Sequence, residues 1–147
     1  MLVEDSEDDV LLFKHALKRY SEITMVGCAE DGDVAVAYLS GSGEYADREK
    51  HPFPDVMVLD LKMPRRNGLE VLEWMRNMQP RPRVAVFTTS DLDCDKERAM
   101  KLGADLYQTK TCESDSFDRF AHWISRMCAV DGKRQARLAA GEPGPNS

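Results

Sequence analysis

Five polar side chains in this chain follow short strand-like runs: Glu4 and Asp5 after Met1-Leu2-Val3, Asp60 after Val56-Met57-Val58-Leu59, Thr88 after residues 84–87, and Lys110 after the more polar residues 105–109. An apolar run of β-formers bounded by turn residues reads as a buried strand. Pro52 and Pro54 bound the central run on one side and Pro64, Asn67 and Gly68 on the other. A carboxylate standing after such a strand belongs at the carboxyl edge of a parallel sheet, where open α/β folds place their ligand sites. Taken alone, Asp60 reads equally well as the first residue of a turn. Taken together, three carboxylates at one edge repel one another unless a hard cation such as Mg²⁺ lies among their oxygens. An aspartate beside such a cation can attack a phosphoryl group, with an ammonium and a hydroxyl nearby to contact the phosphoryl oxygens.

The elements that must position these groups follow from periodicity. Ser6 reads as a helix N-cap with Asp8 and Asp9 in the first turn, and Val10, Phe13, Leu17 and Tyr20 form one apolar face. Residues 23–29 look β-like, and Asp31-Gly32-Asp33 opens a second helix with Val34, Ala37, Tyr38 and Leu39 inward. Residues 40–54 have no period and read as a long exposed connection. Gly68 introduces a third helix carrying Leu69, Leu72 and Met75, stopped by Pro80 and Pro82. A polar fourth helix has only Leu92, Ala99 and Leu102 as apolar members, with Gly103 at its C′ position. Phe117, Phe120, Ala121, Ile124, Met127 and Cys128 make the clearest helical stripe and read as core. Strand then helix, five times over, calls for a doubly wound five-stranded parallel sheet with right-handed crossovers and helices on both faces. The stretch 130–147 is expected to be a tail, disordered or partly extending the last helix.

Composition narrows the partners. A chain of 147 residues is one domain, and its net charge of −6 argues against nucleic acid, whose phosphates need a basic surface. No basic leader and no run near the roughly 20 residues of a membrane span precedes or interrupts the acids, so a cytoplasmic protein that avoids membranes is expected. Cys28, Cys94, Cys112 and Cys128 lack CxxC spacing and read as reduced thiols.

Together these motifs resemble the receiver domain of two-component response regulators, and more closely the single-domain regulators that partner bacterial phytochrome kinases. The resemblance spans residues 1–129 and rests on Val3-Glu4-Asp5, Asp60-Leu61-Lys62-Met63-Pro64 with Gly68, Thr88-Thr89-Ser90, Gly103-Ala104-Asp105, and Tyr107 ahead of Lys110. It implies a flavodoxin-like sheet of strand order 2-1-3-4-5. It implies that Asp60 takes a phosphoryl group from a sensor histidine kinase, with a bacteriophytochrome as the kinase that the closer resemblance points to. Asp5, Asp60 and the Lys62 main-chain carbonyl would bind Mg²⁺ directly, and Glu4 through water. Thr88 and Lys110 would hold the phosphoryl oxygens, and Tyr107 would be the aromatic switch that turns inward as Thr88 moves. Lys62 and Ser90 would flank the path of hydrolytic water and so tune the lifetime of the phosphorylated state. A homodimer built on the fourth helix, fifth strand and fifth helix is expected.

Two departures stand out: Thr111 follows Lys110 where most receivers have proline, and few apolar residues precede Glu4. A cis bond after Lys110 is therefore not expected. Two other readings use the same residues. A haloacid-dehalogenase-type phosphohydrolase would need an acid two positions after Asp60, where Lys62 stands. A receiver-like binding module that is never phosphorylated would leave the site vestigial, and the filled positions argue against it. No enzymatic turnover is expected.

Overall fold

The computed structural model describes residues 1–139, with side chains described as far as Val130. Strands β1 (Leu2–Val3), β2 (Cys28–Ala29), β3 (Val56–Leu59), β4 (Arg83–Thr88) and β5 (Leu106–Thr109) form one sheet in the order β2-β1-β3-β4-β5. Every pairing is parallel, so all strand ends that carry the candidate residues meet at one edge. The doubly wound, flavodoxin-like arrangement expected from periodicity and resemblance is the one observed. Helices α1 (Glu7–Leu17), α2 (Gly32–Ser40), α3 (Gly68–Trp74), α4 (Asp93–Lys101) and α5 (Ser116–Ala139) cover it. Because α5 runs to Ala139, the backbone is helical past position 129; the rest of the expected tail, 140–147, lies outside the described residues.

Side chains alternate along a strand, so β3 and β4 feed two cores. Val56, Val58, Ala85 and Phe87 join Phe13 and Ala16 of α1 and Phe120, Ala121 and Ile124 of α5. Met57, Leu59, Val84 and Val86 join Ala35, Tyr38 and Leu39 of α2, Val71 and Leu72 of α3 and Ala99 of α4. Phe87 stacks on Phe120 at 4.1 Å and Phe13 tilts against the same ring at 5.9 Å. Each buried ring contributes roughly 2–3 kcal/mol by area, enough to fix β4 and α5 in register.

Local chemistry sets the helix ends. Ser6 Oγ accepts from the Asp9 N–H and Asp31 Oδ1 from the Val34 N–H. Asn67 and Glu70 form a reciprocal capping box at the start of α3. Gly68 has no substitute there, since a Cβ would lie 2.3 Å from the Asp60 carbonyl oxygen. Gly103, at φ +94, ends α4 as expected.

The structure corrects three expectations. β2 is confined to Cys28–Ala29 instead of running from 23, because Leu2 and Val3 are the only β1 residues it can pair with. On α1 and α2 the inward set widens: Ala16 and Ala35 are buried, Tyr20 packs on the core from just past the end of α1, and Ala37 is only half-buried. Residues 40–54 are not a patternless link, for Gly43–Ala46 form a 3-10 turn. Arg48 donates to the Tyr38 and Leu39 carbonyls at 2.8 Å each, capping α2, and Tyr45 and His51 pack on the Tyr38 ring. Polar caps and ring contacts of this kind leave no hydrophobic period to read.

Candidate functional site

Each expected residue is delivered by a strand end. Glu4 and Asp5 follow β1, Asp60 follows β3, Thr88 closes β4 and Lys110 follows β5. Glu4 and Asp60 are each only 5% exposed, whereas Asp5 is open to solvent. One oxygen from each of these three carboxylates lies within 4.8 Å of the others. Two oxygens bound directly to Mg²⁺ at about 2.1 Å are at most about 4.2 Å apart, so this set suits a small hard cation that meets one carboxylate through water.

Lys110 ties the acids together. Its Nζ lies 2.5 Å from Glu4 Oε2, 2.8 Å from Asp9 Oδ2 and 3.5 Å from Asp60 Oδ2. Phe87 lies beneath the ammonium, 5.6 Å from ring centroid to Nζ. Burial works against the Lys110 charge, but hydrogen bonds to Asp9 and Glu4 and the charge of Asp60 outweigh it and raise its pKa. Burial pushes the Glu4 carboxyl up to about 7, against the pull of the Lys110 hydrogen bond and the Ser6 N–H.

Asp9 is a member that the sequence pattern placed only as an acid in the first turn of α1. The available signal was that α1 starts directly after Glu4-Asp5, so its first-turn acids overhang the same edge.

The hydroxyl side is built differently. Thr88 is fully buried, and its Oγ1 accepts from the Ser90 N–H at 3.3 Å. Ser90 is buried with its hydroxyl on Asp95 Oδ2, turned toward α4. Tyr107 donates its hydroxyl to the Ser90 carbonyl at 3.0 Å. Burial raises the Tyr107 hydroxyl pKa, and that hydrogen bond offsets part of the rise. Lys62 is exposed; its main-chain N–H donates to Asp60 Oδ1 at 3.2 Å. The loop between Asp60 and Gly68 is strapped to α2 by Arg65, whose Nε lies 2.9 Å from the buried Asp31 Oδ2 in an ion pair without hydrogen-bond geometry. The peptide after Lys110 is trans, as the missing proline led us to expect.

Residues 1–120 match the family model described as the response regulator receiver domain. This chain belongs to the receiver-domain family. It is 34% identical to response regulator Rcp1 of Synechocystis sp. over 113 residues, covering 76% of this chain and 75% of Rcp1. It spans less of a longer relative, 41% of the Bacillus subtilis alkaline phosphatase synthesis transcriptional regulatory protein PhoP. Its fold superposes on the phosphorylated cyanobacterial phytochrome response regulator RcpA with a TM-score of 0.78 at 31% identity, covering 87% of this chain and 91% of RcpA. The Mn²⁺-bound form of Rcp1 gives 0.74 at 32% identity, with 84% and 88% covered. The bacteriophytochrome response regulator AtBRR gives 0.65 at 33% identity, with 80% and 85% covered. The receiver's carboxyl edge thus holds the acids and Lys110 in one cluster, while Thr88, Ser90 and Tyr107 form a second, adjoining group.

Proposed function

We propose that this receiver accepts a phosphoryl group on Asp60 from a sensor histidine kinase and signals through protein contacts that depend on that group. The observation that carries the reading is the Asp60 carboxylate, nearly buried, set among Glu4, Asp5 and the Lys110 ammonium at the end of β3. Asp60 Oδ attacks phosphorus in line, a P–O bond forms, and the P–N bond to the kinase imidazole breaks. Bound Mg²⁺ would neutralise charge on the transferring oxygens, held by Asp5, Asp60 and the Lys62 carbonyl, with Glu4 reached through water. Lys110 leaves Glu4 and Asp9 to meet a phosphoryl oxygen, and Thr88 meets another. Similarity to RcpA and AtBRR supports a phytochrome-type kinase as the donor, and a cytoplasmic location goes with it. Among the described residues no helix is long and apolar enough to cross a membrane.

The phosphohydrolase alternative has no support, since the position two after Asp60 carries the exposed Lys62. Acetyl phosphate treatment followed by mass spectrometry tests the assignment. Mg²⁺-dependent labelling of Asp60 is expected, with none in Asp60→Asn; equal labelling of that variant, or labelling that survives excess chelator, rejects it. No labelling by any donor would favour the unphosphorylated binding module.

Self-association through α4, β5 and α5 belongs to the same reading, as Leu92 and Met100 near and on α4 and Trp123 on α5 are large apolar side chains left exposed. Light scattering should show a dimer at high concentration with a phosphoryl mimic bound; a monomer throughout counts against it.

A further inference from the structure

Ser90 spends each of its polar groups on a different element. Its N–H donates to Thr88 Oγ1 at 3.3 Å, and its hydroxyl to Asp95 Oδ2 at 2.5 Å in the first turn of α4. Its carbonyl accepts from the Tyr107 hydroxyl at 3.0 Å and the Thr109 hydroxyl at 3.5 Å. With only 1% of Ser90 exposed, water does not replace any of these partners readily. Asp95 shares the first turn of α4 with Asp93, where the helix dipole favours a negative charge. Its carboxylate turns back toward the sheet and receives a charge-assisted bond, roughly twice as strong as a neutral one.

We propose that Asp95 is a positioning residue for phosphoryl transfer at Asp60: by anchoring Ser90 it sets how readily Thr88 can shift toward the incoming phosphoryl group. The inference rests on the reading of Asp60 as phosphoacceptor. Any movement of Thr88 toward Asp60 either stretches the bond from the Ser90 N–H or draws Ser90 along. In the first case a buried donor loses its partner; in the second, Ser90 must leave Asp95 and its contacts with Tyr107 and Thr109. The anchor therefore opposes the shift and passes it on, when it occurs, to the first turn of α4 and to Tyr107 as one step. A merely structural Asp95, holding the start of α4, would change stability without touching Thr88.

The test is the initial rate of Asp60 labelling by acetyl phosphate with Mg²⁺, with melting temperature recorded for each variant. Asp95→Ala should label about three- to tenfold faster, the effect of releasing one anchoring hydrogen bond. Asp95→Asn, which keeps an acceptor, should fall back toward the wild-type rate. Ser90→Ala should match Asp95→Ala, and the double variant should add nothing to either. In a Thr88→Ala background the Asp95→Ala acceleration should vanish. An unchanged or lower rate in Asp95→Ala, additive effects in the double variant, or acceleration that persists without the Thr88 hydroxyl would overturn the proposal. A wild-type protein that takes no label on Asp60 would overturn the phosphoacceptor reading and this inference with it, whereas a labelled wild type beside an unresponsive Asp95→Ala overturns the inference alone.

Discussion

The two flanks of Asp60 hold their residues by different physics. On the β1 side, Glu4, Asp9 and Asp60 surround the single ammonium of Lys110, and the arrangement is governed by net charge. On the β4 side, Thr88, Ser90, Tyr107 and Asp95 are linked by directional hydrogen bonds. Charge interactions in a cluster can be redistributed when a cation or an anion arrives, because Lys110 can exchange one oxygen for another at similar cost. A chain of buried hydrogen bonds cannot be adjusted at one link without disturbing the next. The first flank is suited to capturing ligands and the second to reporting that capture at α4 and β5.

The sharpest way to separate the flanks is to remove the ammonium. Lys110→Met should slow labelling of Asp60 by roughly 10²-fold, as expected for loss of one strong donor to the transferring group. It should leave Mg²⁺ binding as tight or tighter, since a competing positive charge is gone. Labelling within twofold of wild type, or Mg²⁺ affinity that falls along with it, would dissolve the distinction between charge capture and geometric relay.

A smaller effect is expected at Lys62, whose N–H bonds Asp60 while its side chain stands exposed at the mouth of the site. Once a phosphoryl group is present, its ammonium can lie on the phosphoryl oxygens and occupy the approach of water. Lys62→Asn should then shorten the phosphoryl lifetime by several-fold, about 1 kcal/mol of barrier at most. Decay of labelled protein after donor removal measures this; a lifetime equal to or longer than wild type removes Lys62 from the shielding role.

The smallest effect belongs to Glu4. Its carboxyl is raised from 4.5 to about 7, so between those pH values the folded, metal-free protein keeps a proton that the unfolded chain has released. The stability tied to that proton is complete below pH 4.5 and is lost as pH rises through about 7. The melting temperature without Mg²⁺ should therefore fall by roughly 2–4 °C between pH 5.5 and 7.5. Glu4→Gln, having no proton to lose, should flatten that slope. The same slope in wild type and Glu4→Gln would show that the charge flank does not titrate through Glu4.

The flanks also differed in how readily they could be read. Glu4, Asp5, Asp60, Thr88 and Lys110 were legible because each stands after a strand-like run, and a parallel sheet sends all such ends to one edge. Ser90 was legible as a position, but the use of its hydroxyl was not: a buried serine reads alike whether it faces Asp60 or α4. Asp9 was read as a first-turn acid of α1, since the helix dipole explains it locally and nothing local points to a lysine far along the chain. The extent of β2 was misjudged for a related reason, as residues 23–26 have strand propensity but β1 is too short to pair with them.

What the sequence determined by itself was the alternation of strands and helices, the fold that alternation requires, and the residue types gathered at the carboxyl edge. Periodicity, prolines, glycines and caps act within a few residues, and handedness rules do the rest. Only the tertiary structure decided which acid Lys110 lies against, that Asp9 joins the cluster, that Arg65 straps its loop to Asp31, and that Asp95 holds Ser90. Those contacts depend on side-chain reach and direction between elements distant in sequence, and no local pattern of residues encodes the distances across which they form.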